Sequence, residues 1–331
     1  MSDVVSLSEQ LTDEEWYAEI EQIGNRDGYF VPLGPHHGAA FGDIGEDVLV
    51  VCFDTVTSAR EGSASGLPFG MDEARRAGWS YLSLIARKPT WFRDPTVYAF
   101  FDRLIDDDFF ADYETVIFYG AGSCAYAAAA YSVASPEAIV FALAPQATLD
   151  PEIAPWDDRF VQMRRTSFTD RYGYAPDMIE AASEVWIIYD PLQELDAMHA
   201  VLFHGDQVQR IRHRHGGARI GTELQAMGVM GPLLEMAVEG MLTETAIYRA
   251  LRRRKDYLPY LRSLLNRVHI EERYWLTALL CRSVLKRKNA PRFRHHLELS
   301  EHKLLQEGKL LPSTSNDSDT DADKVNGPAS A

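Results

Sequence analysis

The spacing of apolar residues changes several times along the chain, and each change marks a new element. Between residues 13 and 28, Trp16, Ile20 and Ile23 recur at three- and four-residue intervals, which predicts a short amphipathic helix. Residues 47–53 (DVLVVCF) then run apolar and β-branched without alternation, as a strand buried on both faces does. Residues 80–86 (SYLSLIA), 115–119 (TVIFY), 138–144 (AIVFALA), 185–189 (VWIIY) and 208–213 predict further strands. Helical spacing at 96–107, an alanine-rich stretch after Tyr119 and a segment at 194–203 separate them. Short buried strands alternating with helices imply βαβ units, hence an α/β fold with a mostly parallel sheet and helices on both faces. Residues 39–41 are expected to add an antiparallel edge.

Beyond Gly231 the strand signals stop. Helical segments are predicted at 232–240, 243–254, 257–268, 271–287 and 291–306, with breaks at Gly240, 256–257, 269–270 and 289–291. The expected organisation is an N-terminal helical segment (1–29), an α/β domain (30–230) with a cap-like insertion at 145–183, an all-helical basic extension (231–311), and a polar, acidic, disordered tail (312–331).

Composition sharpens this picture in three places. No run approaches the roughly 20 apolar residues that cross a bilayer, and residues 1–19 lack the basic and apolar regions of a signal peptide. Cys52, Cys124 and Cys281 are too few and too scattered for a disulfide framework or a metal knuckle, so a cytoplasmic location is expected. The net charge of −16 argues against nucleic-acid binding, yet residues 249–303 carry fifteen Lys and Arg against five Asp and Glu. Arg252, Arg253, Arg254 and Lys255, with Lys286, Arg287 and Lys288, either form solvated helix faces or meet an acidic partner, including the chain's own acidic tail.

The candidate chemistry centres on the turn after the third clear strand, Gly120-Ala121-Gly122-Ser123-Cys124. Small residues flanking a strand-to-helix turn allow a strained central residue to stand above a helix N-terminus, whose amides can hold an oxyanion. GAGSCA lacks the third glycine of a dinucleotide-binding turn, so no nucleotide cofactor is predicted. Ser123 is open to two readings, a nucleophile displaced by one position or a helix N-cap. Asp190 follows a predicted strand, where it serves either as a catalytic acid or as a turn former and N-cap. His213 and His215 follow the last strand; one of them is a candidate base, or both are exposed on a basic face. His199 stands three residues after Asp196 and is expected to pair with it locally. His36 and His37 lie in a loop with no identifiable carboxylate partner, so no metal site is predicted.

This order of turn, acid and histidine resembles the α/β-hydrolases, whose nucleophile elbow reads small-x-nucleophile-x-small. Aligned on Gly120, the nucleophile position falls on Gly122 and the second small position on Cys124. The resemblance covers residues 30–230 in strand order and is close at 115–150. It implies a triad order Ser123, Asp190, His215 with a degenerate elbow. The segments YGAGSCAYAAAAYSVA, ALAPQATLDP, WDDRF and YDP followed by DAMHA are also similar to a bacterial, chiefly alphaproteobacterial, group. Some relatives there are assigned phosphoadenosine phosphosulfate reduction. That chemistry is not supported here. Its SGGxDS-like phosphate loop and its cysteine in an ECG-x-H-like setting are missing, and Cys281 lies in a helical pattern that makes it a core residue.

Three functions follow as expectations. The first is a protein without serine-hydrolase activity that binds a small ligand or a partner, with residues 90–94 and 156–160 lining its pocket or packing insertion on core. The second is an interaction protein acting through its basic helices. The third is an active hydrolase or acyl transferase using Ser123.

Overall fold

The computed structural model describes residues 11–63 and 65–311; the predicted disordered tail lies outside them. In chain order the elements are α1 (Asp13–Asp27), β1 (Gly28–Leu33), β2 (His37–Gly42), β3 (Val48–Thr55), α2 (Val56–Gly62), α3 (Phe69–Ala77), β4 (Ser80–Ala86), α4 (Pro95–Asp106), β5 (Thr115–Ala121) and α5 (Ser123–Tyr131). Then come β6 (Ile139–Leu143), α6 (Ala175–Met178), β7 (Glu184–Tyr189), α7 (Glu194–Leu202), β8 (Val208–Arg212), α8 (Ile220–Ala226), α9 (Met230–Val238), α10 (Glu244–Ala250), α11 (Leu258–Ile270), α12 (Tyr274–Leu285) and α13 (Pro291–Gln306).

One eight-stranded sheet runs in the order β1-β2-β4-β3-β5-β6-β7-β8. β2 is antiparallel to both its neighbours, and all other pairs from β4 to β8 are parallel. The strand expected at 39–41 is therefore antiparallel but lies inside the sheet, because β1 pairs outside it with Pro32 opposite Gly38. Proline lacks a ladder donor and is tolerated on an edge strand.

Side chains alternate between two apolar layers, as the pleat requires. Val51, Phe53, Phe118, Val140 and Ile187 face α4, α5, α7 and the 145–183 insertion. Cys52, Ile117, Tyr119, Phe141 and Ile188 face α3, α8 and α9. Trp16, Ile20 and Ile23 of α1, the three positions singled out by periodicity, pack against Val50, Tyr81 and Ile85.

The chain forms two compact units divided between Tyr257 and Leu258, not at 231. Leu233, Leu234, Ile247 and Leu251 fill the second apolar layer of the sheet, so α9 and α10 belong to the first unit. The second unit holds α11, α12 and α13 around buried Leu265, Cys281, Val284 and Phe293.

Candidate functional site at the carboxyl end of the sheet

Gly120 decides how closely β5 and α5 approach. A Cβ there would stand 2.1 Å from the Cys124 carbonyl oxygen, so only glycine fits. Two residues on, Gly122 adopts φ 62° and ψ −123°, a conformation that costs an L side chain strain, and it precedes the first turn of α5. Its N–H donates to Leu143 O (2.8 Å), and its carbonyl accepts from Ala125 and Tyr126. A Cβ built on Gly122 meets nothing within 4 Å. The turn between β5 and α5 thus has a strained backbone, with open space at the Cβ position of Gly122.

Ser123 is not the N-cap that one reading expected. Gly122 takes that position, and half-buried Ser123 is the first helical residue. The leading N–H groups of α5 have no partner within the helix, as at every helix start, and the helix dipole favours negative charge there.

Asp190 is 2% exposed and directly follows β7. Its two oxygens accept from Leu192 N (3.0 Å) and Gly217 N (2.9 Å), so it forms the turn after β7 and holds the loop after β8. The N-cap of α7 is Gln193, not Asp190. From Gly217 the chain returns over the sheet until Gly221 lies against Ala121, where an added Cβ would come within 2.4 Å of the Ala121 Cβ. Residues 213–221 therefore strap the end of β8 to the end of β5. This strap brings Asp190, His213, His215 and Gly122 to one end of the sheet.

The two histidines differ there. His213 is fully buried, not exposed on a basic face, with Arg254 Nη1 3.3 Å from its Nδ1. A guanidinium only donates, so this nitrogen accepts. Burial and then the Arg254 charge push His213 down to about 4, against the pull of Asp190. His215 is half-buried and takes the left-handed conformation at φ 66°. Glu223 on α8 belongs to the same corner; burial, and Asp190 beside it, push its carboxyl up.

Sequence spacing also missed a buried carboxyl beside the elbow. Asp54, 5% exposed, stands near the end of β3, the strand next to β5. It accepts from the Cys52 thiol (3.2 Å), the Ser58 hydroxyl (3.0 Å) and Phe69 N (3.2 Å). The legible trace of this cluster is Thr55-x-x-Ser58, a capping box at the start of α2. Burial pushes Asp54 up to about 6 despite those donors. Its protonated form is favoured by folding, so its contribution is fully present below the ordinary carboxylate value of 3.8 and is lost as pH rises through about 6. Asp54→Asn is expected to flatten that loss, gaining about 3 kcal/mol on wild type between acid and neutral pH. Urea unfolding at both pH values checks it; parallel pH dependence in the two proteins would exclude Asp54 as the cause.

His199 pairs with Asp157 rather than with Asp196. Its Nε2 lies 2.9 Å from Asp157 Oδ2, its Nδ1 accepts from Ala147 N (3.2 Å), and Arg159 bridges Asp157 and Asp196. Trp91 and Phe92 are each 1% exposed, and Trp91 meets Phe160 edge-on at 4.7 Å. Trp91 and Phe92 thus pack the insertion against the core. His37 is buried with its Nε2 2.6 Å from Thr90 Oγ1. Among the described residues, no group of three or more His, Cys, Asp or Glu is placed to hold a metal ion, and no helix is long and apolar enough to cross a membrane.

The strand order, the antiparallel β2 and the strained turn between β5 and α5 settle the architecture. It is an α/β-hydrolase fold. No protein-family model and no curated protein matches the chain. Among solved structures it is similar to the capsule O-acetyltransferase of Neisseria meningitidis serogroup A, at 10% identity over 63% of this chain and 94% of that one, with a TM-score of 0.40. It is similar to a thermophilic carboxylesterase cloned from a metagenomic library, at 13% identity over 75% and 99% of the two chains, TM-score 0.35. A hyperthermophilic esterase from Pyrobaculum calidifontis gives 13% identity over 71% and 95%, TM-score 0.37.

Proposed function

We propose that the chain binds a small ligand non-covalently above Gly122 and does not carry out serine-hydrolase chemistry. The observation that carries this reading is Gly122 itself, which has the elbow's backbone geometry, no attacking atom and open space at its Cβ position. The amides at the start of α5 suit a carbonyl or carboxylate oxygen of the ligand. His213 supports the reading, since a triad base needs its Nδ1 proton on the acid, whereas here Nδ1 accepts from Arg254.

A fluorophosphonate probe followed by intact-mass measurement is expected to leave the wild-type protein unmodified. Gly122→Cys is expected to gain one maleimide adduct in the native state, while the wild type, whose three cysteines are all buried, gains none. A variant thiol as unreactive as the buried ones would close the proposed cleft. A second reading makes Ser123, Asp190 and His215 a displaced triad for hydrolysis or acyl transfer. It is favoured by the half-buried, solvent-reached Ser123 and by the strap that brings His215 to the same end of the sheet. Stoichiometric phosphonylation of Ser123 would establish it over the first.

A further inference from the structure

Within the second unit, the turn joining α12 to α13 gathers Lys286, Arg287, Lys288, Arg292 and Arg294 within nine residues. Two clefts of about 410 and 330 Å³ open beside it and share Asn289; Arg287, Lys288 and Arg294 line the first, Arg262 and Arg292 the second. Two of these cations meet neutral partners. Arg292 donates to Asn266 (2.5 Å) and Arg294 to Asn289 (3.3 Å). By contrast, Arg267, Arg273 and Arg282 of the same unit sit on Glu271 and Glu301. Exposed cations such as Arg292 and Arg294, close together at one turn, repel each other, and an anion between them relieves that repulsion.

The chain supplies such an anion a short distance on. Residues 317–323 read Asp-Ser-Asp-Thr-Asp-Ala-Asp, with an aspartate at every second position. In an extended segment, alternate residues share one side about 7 Å apart, matching a row of cations rather than a single one. Reach is no obstacle, because α13 spans about 24 Å, whereas the 12 residues from Leu311 to Asp323 can extend up to about 40 Å. Tethering also gives the segment an effective concentration near the millimolar range.

We propose that Asp317, Asp319, Asp321 and Asp323 dock in the basic clefts at the α12–α13 turn, so that the C-terminal segment occupies this surface and any other acidic partner must displace it. The test uses the full chain and a fluorescein-labelled peptide of residues 312–331, read by fluorescence anisotropy. With all four aspartates changed to Asn in the protein, the clefts are unoccupied, and the peptide is expected to bind. That binding should weaken at least tenfold between about 50 and 300 mM salt, as for exposed charges. Wild-type protein, occupied by its own segment, is expected to bind the peptide at least tenfold more weakly. Adding Lys288→Gln, Arg292→Gln and Arg294→Gln to the Asn variant should abolish binding; Arg292 and Arg294 are exposed and Lys288 is half-buried, and an unchanged thermal melt confirms the fold. Equal binding to wild type and Asn variant, undiminished binding to the Gln variant, or no binding to the Asn variant would each overturn the proposal.

Discussion

Arg93→Leu is expected to lower the unfolding free energy by about 3 kcal/mol, because it removes a buried charged hub and strands its acceptors. The Arg93 side chain is 1% exposed and donates to Ser167 O (3.0 Å), to Arg171 O (2.5 Å) and to Asp170. Its guanidinium also lies over the rings of Tyr98 and Phe168, at 4.9 and 5.6 Å. All of these contacts except Tyr98 lie in the 145–183 insertion, so the variant should loosen the insertion before the sheet. The expected shift in Tm is roughly 6 °C for a chain of this size. Hydrogen exchange should speed up first at residues 167–173. Arg93→Lys should recover only part of the loss, since an ammonium cannot reproduce the planar fork. A Tm unmoved by Arg93→Leu would mean that the insertion is held elsewhere, for instance by the His199–Asp157 pair.

Gly120→Ala is expected to cost still more, about 4 kcal/mol, or to yield insoluble protein. The added methyl would meet the first-turn backbone of α5, with Cys124 O at 2.1 Å, Cys124 C at 2.4 Å and Ala125 N at 2.8 Å. Relief requires α5 to move off the sheet. Its residues from Cys124 to Tyr131 are all buried, and Tyr126 and Tyr131 are tied to Tyr172 O and Phe92 O. Gly122→Ala, two residues away, makes no such contact and should cost only the backbone strain, about 1–2 kcal/mol. Urea unfolding of the two variants checks the order. Equal losses would show that strain, rather than strand–helix separation, dominates the elbow.

The central strands could be read from sequence because they are buried on both faces: 80–86 and 115–119 fall within observed strands, and 47–53 overlaps β3 from Val48 on. β1 escaped because Pro32 and Gly28 interrupt its apolar run. α2 and α8 escaped because seven residues hold barely two turns of period. The glycine turn between β5 and α5 was legible because its spacing is local. Its surroundings were not, since Asp190–Gly217, His213–Arg254 and Ala121–Gly221 join residues 27 to 100 positions apart. The boundary at 231 failed for a related reason. Helical periodicity reveals an apolar stripe on α9 and α10 but not that the stripe covers the sheet.

The strap from β8 back to β5 also bears on how the protein is made. During synthesis Gly122 leaves the ribosome 99 residues before Gly221, the glycine that packs against its neighbour Ala121. The second apolar layer waits longer still, for Leu233, Leu234, Ile247 and Leu251. Until then this layer has only α3 as cover, Phe69 on Tyr119, and a nascent chain stalled before residue 221 presents a partly open apolar sheet face to the cell's chaperones.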